Sequence, residues 1–241
     1  MNVLAFDTSF QACSVAVSFS RPGEEGGLHC EHALMDSGHA EALIPMIDRV
    51  MRAAGATFAA LDRIIVTTGP GSFTGVRTAV AAGRALALAT PAKVIGVSSL
   101  WAIGVGAVKR LPDGRAPGDA VLVAMDARKG MVYAQVIGAD ASELTAPLLL
   151  DPAEAVTLAP TYRLSAVGTS AAQVCVAGKS AERPIAWLFD DVLLPDHHLP
   201  HAIHLMAAVH RQSGAGALQP FYLRPPDAKP QAGKSLPWSS T

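Results

Sequence analysis

Thr67 to Arg77 read Thr-Thr-Gly-Pro-Gly-Ser-Phe-Thr-Gly-Val-Arg, a glycine-rich turn leading from an apolar strand into a helix that is apolar around most of its circumference. Two chemistries suit such a turn. Unpaired N–H groups and partial positive charge at a helix start can cradle a phosphate. Equally, glycines without a Cβ let two backbones meet closely. Gly69 and Gly75 keep the spacing of a nucleoside-triphosphatase phosphate loop, but Val76 and Arg77 stand where that loop needs Lys followed by Ser or Thr. Gly71 and Ser72 are the nucleotide-proximal residues if the turn is a cradle.

Two other constellations suggest hydrolysis. His197, His198, His201, His204 and His210 form the only dense histidine group, and a metallopeptidase needs three N or O ligands and a general base. His201 and His204 can share a helix face, whereas Pro200 interrupts the pairing of His197 with His201, and no carboxylate follows in H-E-x-x-H order. The group reads as a solvated, histidine-rich helix start, with no metal assigned. Ser72 lies on a glycine turn but lacks the G-x-S-x-G frame of a nucleophile elbow. His39 reads as a polar contact at a helix N-terminus.

The elements that must position these residues follow from periodicity. Residues 3–9, 13–19 and 28–34 are predicted strands, with Gly, Pro and Ser in the turns between them. A helix is expected over 39–54 from Leu43, Ile47, Val50, Met51 and Ala54, with Gly55 as its stop and Pro45 kinking it or marking its first turn. Strand 63–68, helix 73–89, strand 93–98 and a short helix from Ser99 to about Lys109 complete a βββαβαβα order. After a loop over 111–119, strands 121–128 and 131–138, a weaker strand near Leu148, a short helix from Asp151-Pro152, strand 163–167 and a final helix from Pro200 to about Gln212 repeat that order in worn form.

Composition bounds the class. Half of the 241 residues are hydrophobic, enough for a sizeable core, while 16% are charged and the formal net charge is -1. No strong basic field attracts nucleic acid unaided, so a tRNA or DNA role needs a partner's charge. Cys13, Cys30 and Cys175 are an odd number without a close pair, which fits free thiols used as small core residues in a reducing cytoplasm. The start, Met1 to Asp7, reads as a first strand and not a signal peptide, and no apolar run reaches membrane-spanning length.

Two successive βββαβαβα units predict an α/β chain of duplicated, ribonuclease-H-like architecture, the actin, Hsp70 and sugar-kinase class, in which nucleotide sits between the halves. The expected division is an α/β subdomain over 1–110, a degenerate one over 119–224 and a mobile tail over 225–241, which is rich in Pro, Lys and Ser. In that class a carboxylate after each first strand holds metal and water at the phosphates. Asp7, followed by Thr8 and Ser9, and Asp126, followed by Ala127 and Arg128, occupy those places without the accompanying glycines. Asp7 is either such a carboxylate or an Asx-type turn residue. Gly168 supplies a single glycine where an adenosine-binding turn wants more.

Residues 4–9 with 12–16, His39-Ala40-Glu41 with Leu43-Ile44-Pro45, 68–77, Ile95-Gly96-Val97-Ser98, Asp126-Ala127-Arg128 and Pro220-Phe221-Tyr222-Leu223-Arg224 together resemble the TsaB family. That family is the dimerization subunit of the bacterial tRNA threonylcarbamoyladenosine complex. The resemblance implies a non-catalytic paralogue of TsaD, the transferase that moves a threonylcarbamoyl group from its adenylate onto N6 of the adenosine beside the anticodon. It further implies a cytoplasmic scaffold that binds TsaD, helps recruit the ATPase TsaE, forms a homodimer when alone and meets tRNA only through the complex. No cofactor of its own is implied, with ATP or ADP and magnesium reserved for the complex interface. The catalytic paralogue carries two metal-ligating histidines four apart, where this chain has Ser99 and Ile103. The competing reading is a nucleotide-dependent enzyme of the actin-like class.

The interface is expected on two helices. Along 73–89, Gly75, Ala79, Ala82 and Leu86 fall on one face, and Val76, Val80 and Gly83 form the adjoining one. One sheet covers only one apolar stripe, so the surplus face meets another element, with Leu43, Ile47, Val50 and Met51 of the preceding helix as its companions. Two such helices from each chain would make a four-helix seam, for which the resemblance implies that homodimer and TsaD heterodimer compete.

Overall fold

The computed structural model describes residues 1–20, 23, 26–109, 111, 118–188, 199–208 and 218–224. The first sheet is built from β1 (Val3–Asp7), β2 (Ala12–Phe19), β3 (Gly27–Leu34), β4 (Arg63–Thr67) and β5 (Lys93–Val97) in the order β3-β2-β1-β4-β5. β1 pairs antiparallel with β2, Phe6 opposite Val15, and parallel with β4, Phe6 opposite Val66. It is buried along its whole length, as a continuous apolar run at the centre of a sheet covered on both faces requires. Val3 and Ala5 enter one core, and Leu4 and Phe6 the other.

The second sheet repeats the plan. β6 (Asp119–Asp126), β7 (Val132–Gly138), β8 (Leu148–Leu150), β9 (Arg163–Val167) and β10 (Ala186–Trp187) lie in the order β10-β9-β6-β7-β8. Each sheet therefore has its unit's first strand central, antiparallel to the second and parallel to the fourth. The fold is a duplicated, ribonuclease-H-like α/β architecture.

α1 (His39–Ala53) and α2 (Phe73–Ala89) flank the first sheet. Leu43, Met46, Ile47, Val50 and Met51 form the buried stripe of α1, while Pro45 lies beyond the first turn on the exposed side and the helix runs on past it. In the second unit, α4 (Pro152–Ala155) starts at a capping box in which Asp151 accepts from Glu154 N and the Glu154 carboxylate accepts from Asp151 N. α5 (Ala171–Ser180) and β10 are additions to the elements expected from the sequence. The buried stripe of α5 is only Ala171, Val174 and Gly178, too small a contrast to register as periodicity. Of the final helix expected from Pro200, the structure has α6 (Ala202–Leu205) running into a 3-10 turn at Met206–Ala208, and residues 209–212 lie outside the described residues. The expected tail, 225–241, also lies outside them.

α3 (Ser99–Val108) joins the halves. All ten of its residues are buried, the mark of a helix enclosed on every side. It packs beneath β6 and β7 and against α6, so one core runs from Val3 and Ala5 through Leu100 and Ile103 to Val123 and Met125. The indole N–H of Trp101 donates to Ala141 O at 3.0 Å, and Ser98 Oγ donates to Gln135 Oε1 at 2.9 Å. Residues 218–224 lie across first-unit elements. Phe221 N donates to Thr68 O at 2.7 Å, and the Leu218 side chain occupies a notch where a Cβ on Gly83 or Gly96 would come within 2.7 and 2.8 Å of it. Cys13 is buried and Cys175 half-buried, but Cys30 is exposed, because β3 is an edge strand; the expectation of three core thiols is corrected at that position.

Candidate functional site

The glycine turn closes on its own chain. A Cβ at Gly71 would strike Ser9 O, and one at Gly75 would strike Thr8 O. Ser72 N donates to Ser9 O at 2.7 Å, Thr8 Oγ1 donates to Gly75 O at 2.7 Å, and Ser99 N donates to Gly69 O at 3.0 Å. Ser72 caps α2, its Oγ accepting from Gly75 N at 3.1 Å. Two of the turn's donors, Ser72 N and Gly75 N, are thus committed within the chain, and the space a Cβ would need at Gly71 and Gly75 is taken by the turn after β1, so these two glycines serve close packing. Asp7 belongs to this network and does not line a cavity. Its carboxylate accepts from Thr67 Oγ1 at 2.5 Å and from Ser9 N at 3.2 Å, and burial pushes its pKa up to about 6 against the lowering effect of those hydrogen bonds. Thr8 and Ser9 are fully buried beside it. Gly168 sits apart, at φ 113 against Ala124 O in the second unit. Of the six expected nucleotide-proximal residues, Gly71 and Ser72 border a cleft of about 530 Å³ together with His39, Asp126, Arg128 and Arg224. Asp7, Thr8 and Ser9, buried and hydrogen-bonded within the chain, do not fit as contacts for the phosphate and metal groups that the fold class holds between its halves.

The helix pair presents a different face from the one expected. Leu43, Ile47, Val50, Met51, Val76, Ala79, Val80, Gly75 and Gly83 are buried within the chain, and Ala82 and Leu86 are half-buried against the same core. The sheet consumes that stripe, so it is not the surface. What remains outside is a shallow groove of about 610 Å³ between α1 and α2, lined by Ala40, Ile44, Phe73, Arg77, Ala81 and Ala85, with Leu43 and Ala82 at its floor. Ile44 is 55% exposed, Phe73 42% and, further along α2, Leu88 92%, which leaves an apolar strip without cover. One end is organised by Arg77, whose guanidinium lies 3.8 Å over the Phe73 ring and donates from Nε to Tyr222 Oη at 3.0 Å. Phe73 and Tyr222 stack with centroids 5.3 Å apart. Sequence periodicity missed Ile44, Phe73 and Tyr222; the available signal was Tyr222 in the motif at 220–224, far along the chain from α2.

Among the described residues the hydrolytic constellations do not assemble. Among the described residues no group of three or more His, Cys, Asp or Glu has metal-binding geometry, and His197, His198 and His210 lie outside them. His201 and His204 do come together, both half-buried, and His201 stacks on His32. His39 is hydrogen-bonded through Nε2 to Phe10 O at 2.8 Å. Ser99 bonds to Pro70 O, and Ile103 is buried in the shared core. Among the described residues no helix is long and apolar enough to cross a membrane.

Fold and surface define an α/β protein of the duplicated ribonuclease-H-like class whose glycine turn is filled and whose exposed feature is a helix-pair groove. Residues 18–184 match the family model described as TsaD, tRNA N6-adenosine threonylcarbamoyltransferase. The chain is 34% identical over 133 residues to the tRNA threonylcarbamoyladenosine biosynthesis protein TsaB of Escherichia coli K12, covering 55% of this chain and 53% of that one. It is 31% identical over 231 residues to an uncharacterized protein of Mycobacterium tuberculosis, covering 90% of this chain and 94% of that one. The solved structure of YeaZ from Pseudomonas aeruginosa superposes with a TM-score of 0.69 at 28% identity, over 92% of this chain and 99% of that one. The chain belongs to the TsaB family. Its match spans about half the length of the curated TsaB relatives.

Proposed function

We propose that this chain is a non-catalytic scaffold subunit of tRNA threonylcarbamoyladenosine biosynthesis. It docks a TsaD-type transferase on the α1–α2 groove and supports transfer of the threonylcarbamoyl group to N6 of the adenosine beside the anticodon in ANN-decoding tRNAs. The observation that carries this reading is the uncovered apolar groove around Ile44, Ala81 and Ala85 on a chain of a tRNA-modification family. Small side chains let helices approach closely, so a homologous helix pair fits it. The same face pairs two copies of the chain in the partner's absence, and the two associations compete. Absence of catalysis is supported by Ser99 and Ile103, neither able to replace an imidazole ligand, and by the filled glycine turn. A formal net charge of -1 favours a tRNA contact made through the complex, which a TsaE-type ATPase completes in the cytoplasm, with any nucleotide and magnesium held between subunits.

Co-purification of the chain with the TsaD homologue of its own host tests the docking. Threonylcarbamoyl transfer from preformed adenylate to an ANN-decoding tRNA, with and without TsaD, tests the catalytic assignment. The expected outcome is a stable complex and product only when TsaD is present; robust product from the single chain overturns the reading.

A further inference from the structure

His32 of the first sheet meets two histidines from far along the chain, His201 and His204. His32 of β3 stacks on His201 with centroids 4.7 Å apart and planes within 7°, and the His204 ring lies 5.8 Å from that of His201. His201 is the N-cap of α6, where its Nδ1 accepts the Ile203 N–H at 3.2 Å. An imidazole nitrogen that accepts a hydrogen bond carries no proton, so the capped helix requires His201 to be neutral. Both ring nitrogens of His32 and Nδ1 of His204 are buried, which penalises a charge on either ring. His204 also lies over Gly106 of α3, where a Cβ would overlap its ring.

We propose that His32, His201 and His204 form a proton-operated latch that holds α6 against the first sheet while neutral and releases it when protonated. A proton from solvent that binds His201 Nδ1 removes the acceptor for Ile203 N–H, turns the cap into a donor and places positive charge at a helix start, where the backbone dipoles oppose it. A second proton, on His32 or His204, adds like-charge repulsion across the stack. What the latch secures is substantial. Ala202 and Leu205 are fully buried in the core shared with α3, and Ala202 N donates to Ser14 Oγ of β2 at 2.9 Å.

Among the described residues, the surrounding elements add one group other than histidine expected to titrate in this range, Asp7, whose pKa burial pushes up to about 6. By strand alternation β3 places Cys30 on the same face and His29 and Glu31 on the reverse, where Glu31 pairs with Arg49. β2 contributes Ser14, with Cys13 on its reverse. β1 ends in Asp7, committed to Thr67 and Ser9. α3 carries no ionisable side chain before Lys109 at its C-cap, and the 3-10 turn at Met206–Ala208 carries none.

Amide hydrogen exchange followed by mass spectrometry on the full chain, corrected for the intrinsic pH dependence of exchange, tests the latch. Between pH 7.5 and 5.5, a span that brackets the ordinary imidazole range of about 6–7, the amides of residues 202–208 are expected to lose at least tenfold protection. Those of β6 should stay protected. His201→Asn, which keeps an accepting N-cap that does not titrate, is expected to abolish most of this loss, and the titration of Asp7 cancels in the comparison. Imidazole resonances of the unmodified chain give a second reading, in which the three rings should change together over the interval where protection falls. Unchanged protection at 202–208, equal loss in β6, or the same loss in His201→Asn would each overturn the proposal.

Discussion

Arginine placed at Ala79 or at Ala81, two residues apart on α2, should give opposite outcomes. Ala79 is fully buried against the first sheet in the core that holds Leu4, Phe6 and Val66, whereas Ala81 is exposed and lines the groove. In Ala79→Arg a guanidinium must either stay unpaired in that core, at a cost of about 3–5 kcal/mol or more, or lever α2 off the sheet. Against a net stability of roughly 5–15 kcal/mol, that is enough to unfold much of the chain or make it aggregate. In Ala81→Arg the free chain keeps its stability within about 0.5 kcal/mol, because an exposed helix position accepts arginine readily. Association suffers instead. A charge left unpaired in a closed helix seam at about 3–5 kcal/mol weakens binding by roughly two to three and a half powers of ten. Circular dichroism melts establish folding, multi-angle light scattering the oligomeric state, and titration with the TsaD homologue the affinity. A folded Ala81→Arg chain that dimerises and binds TsaD like the parent refutes the groove assignment. A folded Ala79→Arg chain that fails to associate refutes the burial argument and restores the opposite face of α2.

Three further outcomes follow from the turn, the buried carboxylate and the C-terminal strap. Gly75→Ala brings a methyl group onto Thr8 O and should lower stability by about 1–3 kcal/mol in urea melts without impairing a ligand site; a neutral result removes the close-packing account of the turn. Asp7 has its folded pKa raised from 3.8 to about 6, so between those values the native state binds more protons than the unfolded one and stability falls as pH rises. The ionised carboxylate then costs on the order of 3 kcal/mol above pH 6, and Asp7→Asn should flatten this slope between pH 4 and 6 in denaturant titrations; an unchanged slope places its origin elsewhere. Leu218→Ala empties the notch at Gly83 and Gly96 and, for a half-buried side chain, should cost about 1–2 kcal/mol by the same melts, with no loss indicating that the segment 218–224 is held by its hydrogen bonds, such as Arg84 Nε to Leu218 O and Phe221 N to Thr68 O, and not by this side chain.

Periodicity alone placed the two long helices and the central strands, because each is longer than its local ambiguity and buries one clear stripe or run, as Leu43, Ile47 and Val50 do in α1 and Val3 to Phe6 do in β1. Repetition of the element order likewise carried the duplicated architecture, and the 68–77 and 220–224 motifs carried the family resemblance. The strand-to-helix geometry of the glycine turn was legible, but not what it receives. Gly71 and Gly75 meet Ser9 and Thr8, more than sixty residues earlier in the chain, and only β1 pairing beside β4 creates that contact. The working face of α2 was undecidable locally, since alanine and glycine lie on both sides and helix periodicity cannot tell a small buried residue from a small exposed one. The sheet decided it by covering Val76, Ala79 and Val80 and leaving Arg77, Ala81 and Ala85 outside. In the same way His201 read as part of a solvated histidine run until tertiary packing set it on His32, because a side chain's neutrality depends on what surrounds it, and those surroundings come from β3 and α3.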